Sequence, residues 1–360
     1  MTTISATTVL RSRHAQRPDV VLSTLLLRYP RWIHAEQRTH RVIPLDEGLA
    51  FEQPTPSPMA DPNLSRNAAS SRAIPVKKMI EDVLRDPAVP LFWGKNQPGM
   101  QAHEECNEPI LLDGYPEYYD SGVAVSREKA WLLARDKAVE FARAFAEAGY
   151  HKQIVNRLLE PFSHITVLCS ATEWSNFLEL RDHPDAEPHI RMLAQAVRKC
   201  LEDESTIQTL EPGAWHLPFV EFDPEGEDDE WRAFEHLGLV RETTFQGKPA
   251  LTAGSPGGIL PEEWEAVLEA LIKLSVARCA STSYKTVDGF DMTLERATAL
   301  YDKLVSSRPI HASPAEHVAQ ADDVAAAPWG DTSGKTFWEN PEQHGNFVGF
   351  RQHRHMLPPG

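Results

Sequence analysis

The chain has 360 residues, 41% of them hydrophobic, which is enough apolar material for one large core or two smaller ones. Its 36 basic residues stand against 52 acidic ones, a formal charge of −16 that opposes nonspecific attraction to nucleic acid or anionic membrane, so any phosphate must be gathered by a local basic pocket. Cys106, Cys169, Cys200 and Cys279 are widely spaced, with no Cys-x-x-Cys pair and no zinc-ligand rhythm, which argues against a disulfide framework or structural zinc and fits a reducing cytoplasm.

Residues 1–14 mix Thr, Ser and Arg without an apolar core, and no run is long enough to cross a bilayer, so the expectation is a protein neither exported nor anchored. Residues 20–27 are β-branched and aliphatic with no breaker and predict a buried strand. Pro30 then opens a helix that delivers Thr39-His40-Arg41 at its far end. The five prolines at 44, 54, 56, 58 and 62 forbid regular structure over 44–64 and mark a surface excursion. His40-Arg41 and Ser65-Arg66-Asn67-Ala68-Ala69-Ser70-Ser71-Arg72 together offer many hydrogen-bond donors and permanent positive charges. Such a set suits a phosphate or nucleotide cradle, and equally a Ser/Asn-rich loop capping the helix that begins near Pro75.

That helix is predicted over 76–84. The stretch 92–101, with Gly94, Pro98 and Gly99, reads as a shaped loop of the kind that carries ligands, or as a plain connector. Apolar residues at helical spacing predict a long amphipathic helix over 126–148, ended by Gly149. A short helix at 154–161 carries Arg157, a strand is expected at 165–169, and a helix at 176–181 ends on Arg181. By spacing alone both arginines are surface residues whose stems cover apolar groups.

From 202 to 261 the pattern weakens to a variable connector: an acidic solvated loop at 221–230, turn residues at 254–258, and no phosphate-binding glycine motif. Helical periodicity returns over 262–280 and 293–305. His311, Glu316 and His317 lie close together, but Pro314 disturbs the helix that would align them and their spacing is not that of a usual zinc site. Ser313-Pro314 reads as a capped helix start. Residues 318–360 form an extension whose aromatic and basic finish is either a mobile tail or packed beside the site.

With 44–64 set aside as an insertion, the first cluster reads His-Arg-x-x-Ser-x-Asn-x-x-Ser-x-Arg. This resembles the signature of the flavin-dependent thymidylate synthases, the ThyX family, which has Arg and Tyr where this chain has Thr39 and Ala73. Arg157 and Arg181 stand in patterns similar to the family's Ala-Arg-x-x-Leu-Pro and Asn-Phe-Leu-x-Leu-Arg. His311-Ala312-Ser313-Pro314-Ala315-Glu316-His317 resembles its His-x-Thr-Pro-x-Glu-His motif, which in the family precedes the signature. Here it follows, so the resemblance implies a circular permutation, which requires His317 to approach Val20 in space.

The resemblance implies a single elaborated α+β domain, with helices around a small curved antiparallel or mixed sheet, and a homotetramer with shared active sites. It implies FAD as cofactor, methylenetetrahydrofolate and NADPH as co-substrates, and deoxyuridylate (dUMP) as the nucleotide methylated to thymidylate. Glu36, Ser70, Arg72, Arg157 and Arg181 would hold dUMP, with Arg181 and Ser70 in the catalytic set, Ser70 positioning rather than attacking. His40, Arg41, Asn176, Ser170, Thr172, His311 and Ser313 would hold flavin and folate, although the family's usual Asn and Arg are absent at 170 and 172. Two other expectations are a hydroxymethyl transfer to dUMP or a related pyrimidine nucleotide, and a non-catalytic nucleotide-binding protein.

Overall fold

An aliphatic run without a breaker makes a strand, and Val21–Pro30 is one, with Leu22, Leu25, Leu27 and Tyr29 fully buried along it. The computed structural model describes residues 3–38, 65–68, 71, 74–98, 102–112, 123–222, 228–245, 248–255, 258–282, 292–306, 313–330 and 332–357. The insertion expected at 44–64 lies outside the described residues.

The main sheet has five strands: β1 (Ser5–His14), β2 (Val21–Pro30), β3 (Ser65–Ala68), β4 (His164–Ala171) and β5 (Ile207–Leu210), in the order β3-β4-β2-β1-β5. Every pairing is antiparallel except β1 with β5. The short helix α1 (His34–Arg38) follows β2 after a 3-10 turn at Arg31–Ile33. Helices α2 (Val76–Arg85) and α3 (Arg127–Glu147) bury Met79, Ile80, Val83, Val139 and Ala142 in one cluster. Ser126 caps α3 by accepting from the Lys129 amide at 3.2 Å, and Gly149 beyond its end takes φ +86°, a left-handed conformation that glycine adopts without a Cβ penalty.

After β4 come α4 (Ser175–Arg181) and α5 (Pro188–Glu202), and α5 lies on the sheet face that carries Leu25, Leu27, Ile165 and Val167. Ile190, Leu193, Ala194 and Val197 are its buried stripe, and each fully buried aliphatic contributes about 1.5–3 kcal/mol. A polar substitution at Leu193 would open this contact.

The described residues of 202–261, expected as a connector, form regular elements. Besides β5 they hold β6 (Trp215–His216), the helix α6 (Asp229–His236) and the ribbon of Val240–Phe245 with Lys248–Ala253. The loop expected at 221–230 ends early, because Asp229 is buried at the start of α6 and pairs with Arg278, which donates to it at 2.9 Å through Nη2. Arg278 sits on α7 (Pro261–Ala280), which packs with α6 and α8 (Leu294–Ser306) in a second core.

The C-terminal extension is described over 318–330 and 332–357, with β7 (Ala319–Ala321) between β6 and β8 (Phe350–Gln352) in a three-stranded sheet. Ala319, Ala321, Phe347 and Phe350 share a buried cluster with Val20 and Leu22, so the segment after His317 lies against the start of β2. The sequence also hid β1, because Thr, Ser and Arg alternate there with small apolar groups rather than forming an apolar run. The chain is therefore of the α+β class. Among the described residues no helix is long and apolar enough to cross a membrane.

Candidate functional site

A buried polar chain crosses the sheet face opposite α5. Thr24 on β2 and Ser170 on β4 are register partners, and their hydroxyls lie 2.6 Å apart. His216 from β6 bridges Thr24 Oγ1 at 2.8 Å and Ser12 Oγ on β1 at 2.6 Å, and Gln208 Nε2 donates to Ser12 at 3.0 Å. At the other end, Ser170 Oγ meets His317 Nδ1 at 2.8 Å. Burial lowers the pKa of both imidazoles to about 3, so each is neutral, with one donor and one acceptor nitrogen.

Ser12 Oγ accepts from Gln208 Nε2, and because each hydroxyl carries one donor and two acceptor sites, the protons of the chain can run in either direction between His216 and His317. His317 Nε2 ends the chain. It is buried and has no partner. The chain ties the turn at Ser313–Glu316 to the sheet through the residue that follows it.

A second group gathers where α1 meets α4. Arg181, in the last turn of α4, reaches the Glu36 carbonyl through Nη2 at 3.4 Å, while its buried Nε has no partner. Burial raises the Glu36 carboxyl, with Glu187 adding to the effect and Arg181 opposing it. Asn176, half-buried in the first turn of α4, has an Oδ1 without a partner.

The third group lies at the opposite end of β4. Arg157, exposed, donates to the Glu160 carboxylate at 3.0 and 3.2 Å, and the Ser71 hydroxyl donates to the same carboxylate. Asn156 Nδ2 donates to the carbonyls of Ser71 at 2.7 Å and Ile74 at 2.9 Å, which holds the segment after β3 onto this turn. Arg31 is half-buried nearby with Nε on Ser163 Oγ at 3.2 Å; burial lowers its pKa and Glu160 opposes that. Arg157 pairs with the Glu160 carboxylate, which also acts electrostatically on Arg31.

Of the residues proposed from sequence, His40, Arg41, Ser70, Arg72 and His311 lie outside the described residues. Glu36 and Arg181 are brought together, whereas Arg157 is at the Ser71 end and Ser313 is exposed on its turn. Ser170 is fully buried, with its hydroxyl engaged by Thr24 and His317. Thr172 is half-buried, and its Oγ1 accepts from the Val348 amide at 3.0 Å. Orphaned Asn176 Oδ1 and Arg181 Nε do fit a polar ligand such as a flavin or nucleotide. Sequence reasoning missed Ser12, Thr24, His216, Gln208 and Arg31; the one available signal was a histidine set between the apolar Trp215 and Leu217.

In comparisons with known proteins, no family model matches this chain and no curated protein matches it.

Proposed function

We propose that the chain transfers a one-carbon unit from methylenetetrahydrofolate to C5 of dUMP, giving thymidylate, with FAD as the redox cofactor. One observation supports this reading above the others: the blocks that resemble the flavin-dependent thymidylate synthases converge on β4 across the chain. Ser65 and Ser170 are register partners, Ser71 bonds to Asn156 and Glu160 over 85 and 89 residues, and His317 bonds to Ser170 over 147. The buried cluster that Ala319 shares with Val20 and Leu22 supports a permuted order.

In this reading the fixed guanidinium of Arg181 stabilises negative charge as it develops on the uracil ring, the oxyanion-type role that a planar, permanently charged group fills well. Glu36 binds and orients the nucleotide beside Arg181, and Arg157, Ser70 and Arg72 do so from a neighbouring subunit of the shared site, since Arg157 lies at the opposite end of β4 from Glu36. Asn176, His40, Arg41, His311 and Ser313 hold flavin and folate. FAD, when bound, carries the hydride. The balanced reaction takes dUMP, methylenetetrahydrofolate, NADPH and a proton to thymidylate, tetrahydrofolate and NADP⁺. By the same resemblance, the working form is a homotetramer with shared sites.

The test is mass analysis of dUMP incubated with the protein, FAD, methylenetetrahydrofolate and NADPH. A methyl-sized gain is expected. A hydroxymethyl-sized gain would replace reduction by capture with water, and unchanged dUMP would sink the reading.

A further inference from the structure

The shaped loop that begins at Phe92 has no part in the proposed reaction. Its described residues fold back on themselves: Gly94 and Glu105 form an antiparallel bridge, the Lys95 amide donates to the Glu104 carbonyl at 2.7 Å, and the Cys106 amide donates to the Trp93 carbonyl at 2.7 Å. The loop is pinned to the first turn of α5. The Leu91 amide donates to His189 Nε2 at 2.8 Å, so the ring proton sits on Nδ1, 2.5 Å from the Glu187 carboxylate. On its other side Trp93 packs edge-on against Trp131 of α3, and the Arg127 guanidinium lies 5.6 Å from the centre of the Trp93 ring.

Between this loop and α5 lies a cleft of about 420 Å³, within the range of about 300–1,000 Å³ that small-molecule sites occupy. Its apolar lining is the Phe92 ring, Pro184 and Pro188 from the turn between α4 and α5, and Met192 on α5. Arg191 on α5 and the exposed His103 imidazole supply polar groups. Arg191 Nε is buried with no hydrogen-bond partner among the described residues, and it stands 3.9 Å from Asp182 Oδ1, beyond hydrogen-bond reach. Asp182 is already engaged, accepting from Arg198 Nε at 2.8 Å and from Gln195 Nε2 at 3.1 Å. One carboxylate therefore faces two guanidinium groups, and a single positive charge is left over at the cleft. The first amides of α5 add nothing to it, because those of His189 and Ile190 donate to Glu187 Oε2.

The geometry points to a binding site for a small aromatic carboxylate, its ring against Phe92, Met192 and the two prolines and its carboxylate on Arg191. A planar guanidinium with an unengaged Nε matches the two oxygens of a carboxylate. A phosphate dianion calls for a second guanidinium or ammonium group, and Arg191 is the one that lines the cleft among the described residues. An uncharged ring would leave that guanidinium unpaired. This inference is independent of the reaction proposed above.

Isothermal titration calorimetry of the full chain with para-aminobenzoate, and separately with para-aminobenzoylglutamate, tests it. At least one probe should bind with a Kd of about 1 mM or tighter. Tighter binding of the conjugate marks the tail of a folate as the natural source of the group, and equal or tighter binding of the simple acid marks a free aromatic acid. Arg191→Gln should weaken binding about tenfold or more, and Phe92→Ala should weaken it as well. The uncharged para-aminobenzamide should not bind. Failure of both acids to bind at millimolar concentration would overturn the proposal, as would an affinity unchanged by Arg191→Gln in a variant with native circular dichroism, or amide binding as tight as the acid's. No dUMP enters the assay, so its failure leaves the proposed reaction standing.

Discussion

Removing one hydroxyl, with Ser170→Ala, separates a structural role for the buried chain from a ligand role. Ser170, Thr24 and His317 are all fully buried, and the serine hydroxyl bonds to Thr24 Oγ1 at 2.6 Å and His317 Nδ1 at 2.8 Å. Alanine leaves both groups facing a void of about one oxygen atom, too small for water to enter. His317 then keeps no hydrogen bond at either ring nitrogen, because Nε2 is already without a partner. Thr24 keeps His216, so His317 is the group left without a partner, and a buried polar group left unpaired costs about 1–3 kcal/mol, which is the expected loss. Urea unfolding followed by tryptophan fluorescence reads this as a lower midpoint at unchanged slope. Ser313→Ala, at an exposed hydroxyl, should stay within about 0.5 kcal/mol. If Ser170→Ala shifts stability by less than about 0.5 kcal/mol and instead weakens FAD binding, a purely interior role for Ser170 is refuted.

Acid should destabilise the fold through His216 and His317, whose pKa values are lowered by burial to about 3 from an ordinary 6.5. Below pH 6.5 the unfolded chain takes up protons that the folded chain does not, so stability is full above that pH and falls as pH drops towards 3; at pH 5 the loss is about 2 kcal/mol per histidine. His216→Gln should reduce the loss between pH 7 and 5 by about that amount, and an unchanged pH dependence would contradict the assignment. Gly349 has φ +73° and a Cβ there would come within 2.6 Å of the Trp338 ring, so Gly349→Ala should cost about 2 kcal/mol or more in thermal or urea unfolding. Arg181→Ala should lower turnover of dUMP by about 10²–10³ with FAD still bound, and loss of FAD from a folded variant would move Arg181 out of its proposed role.

Elements with strong local periodicity were legible. The runs at 20–27, 126–148 and 262–280 became β2, α3 and α7 because their apolar spacing matches one strand or one helix face, whatever the rest of the chain does. What was not legible depends on distant partners. Asp229 reads as one more acid in a solvated run until Arg278 is placed beside it, and β1 reads as a polar leader until β2 and β5 flank it. The polar chain joins Ser12 to His216 across 204 residues and Ser170 to His317 across 147, and no spacing rule links such residues. The placing of Arg181 and Asn176 on one short helix was legible, because the helix expected at 176–181 is α4. The hydrogen bonds of Ser170 and Thr172 were not legible, because sequence fixes their place on the chain but not which face of β4, or which covering segment, meets them.

Chemistry at C5 of dUMP is the centre of the proposed function, and release of tritium from dUMP labelled at that carbon tests it most directly. Both methyl and hydroxymethyl transfer must expel the C5 hydrogen, so the assay reads the shared step before the products diverge. Incubation with the native chain, FAD, methylenetetrahydrofolate and NADPH should release tritium to water, and omitting FAD or replacing Arg181 with alanine should suppress the release. Label that stays on the nucleotide with every component present would contradict the proposed reaction.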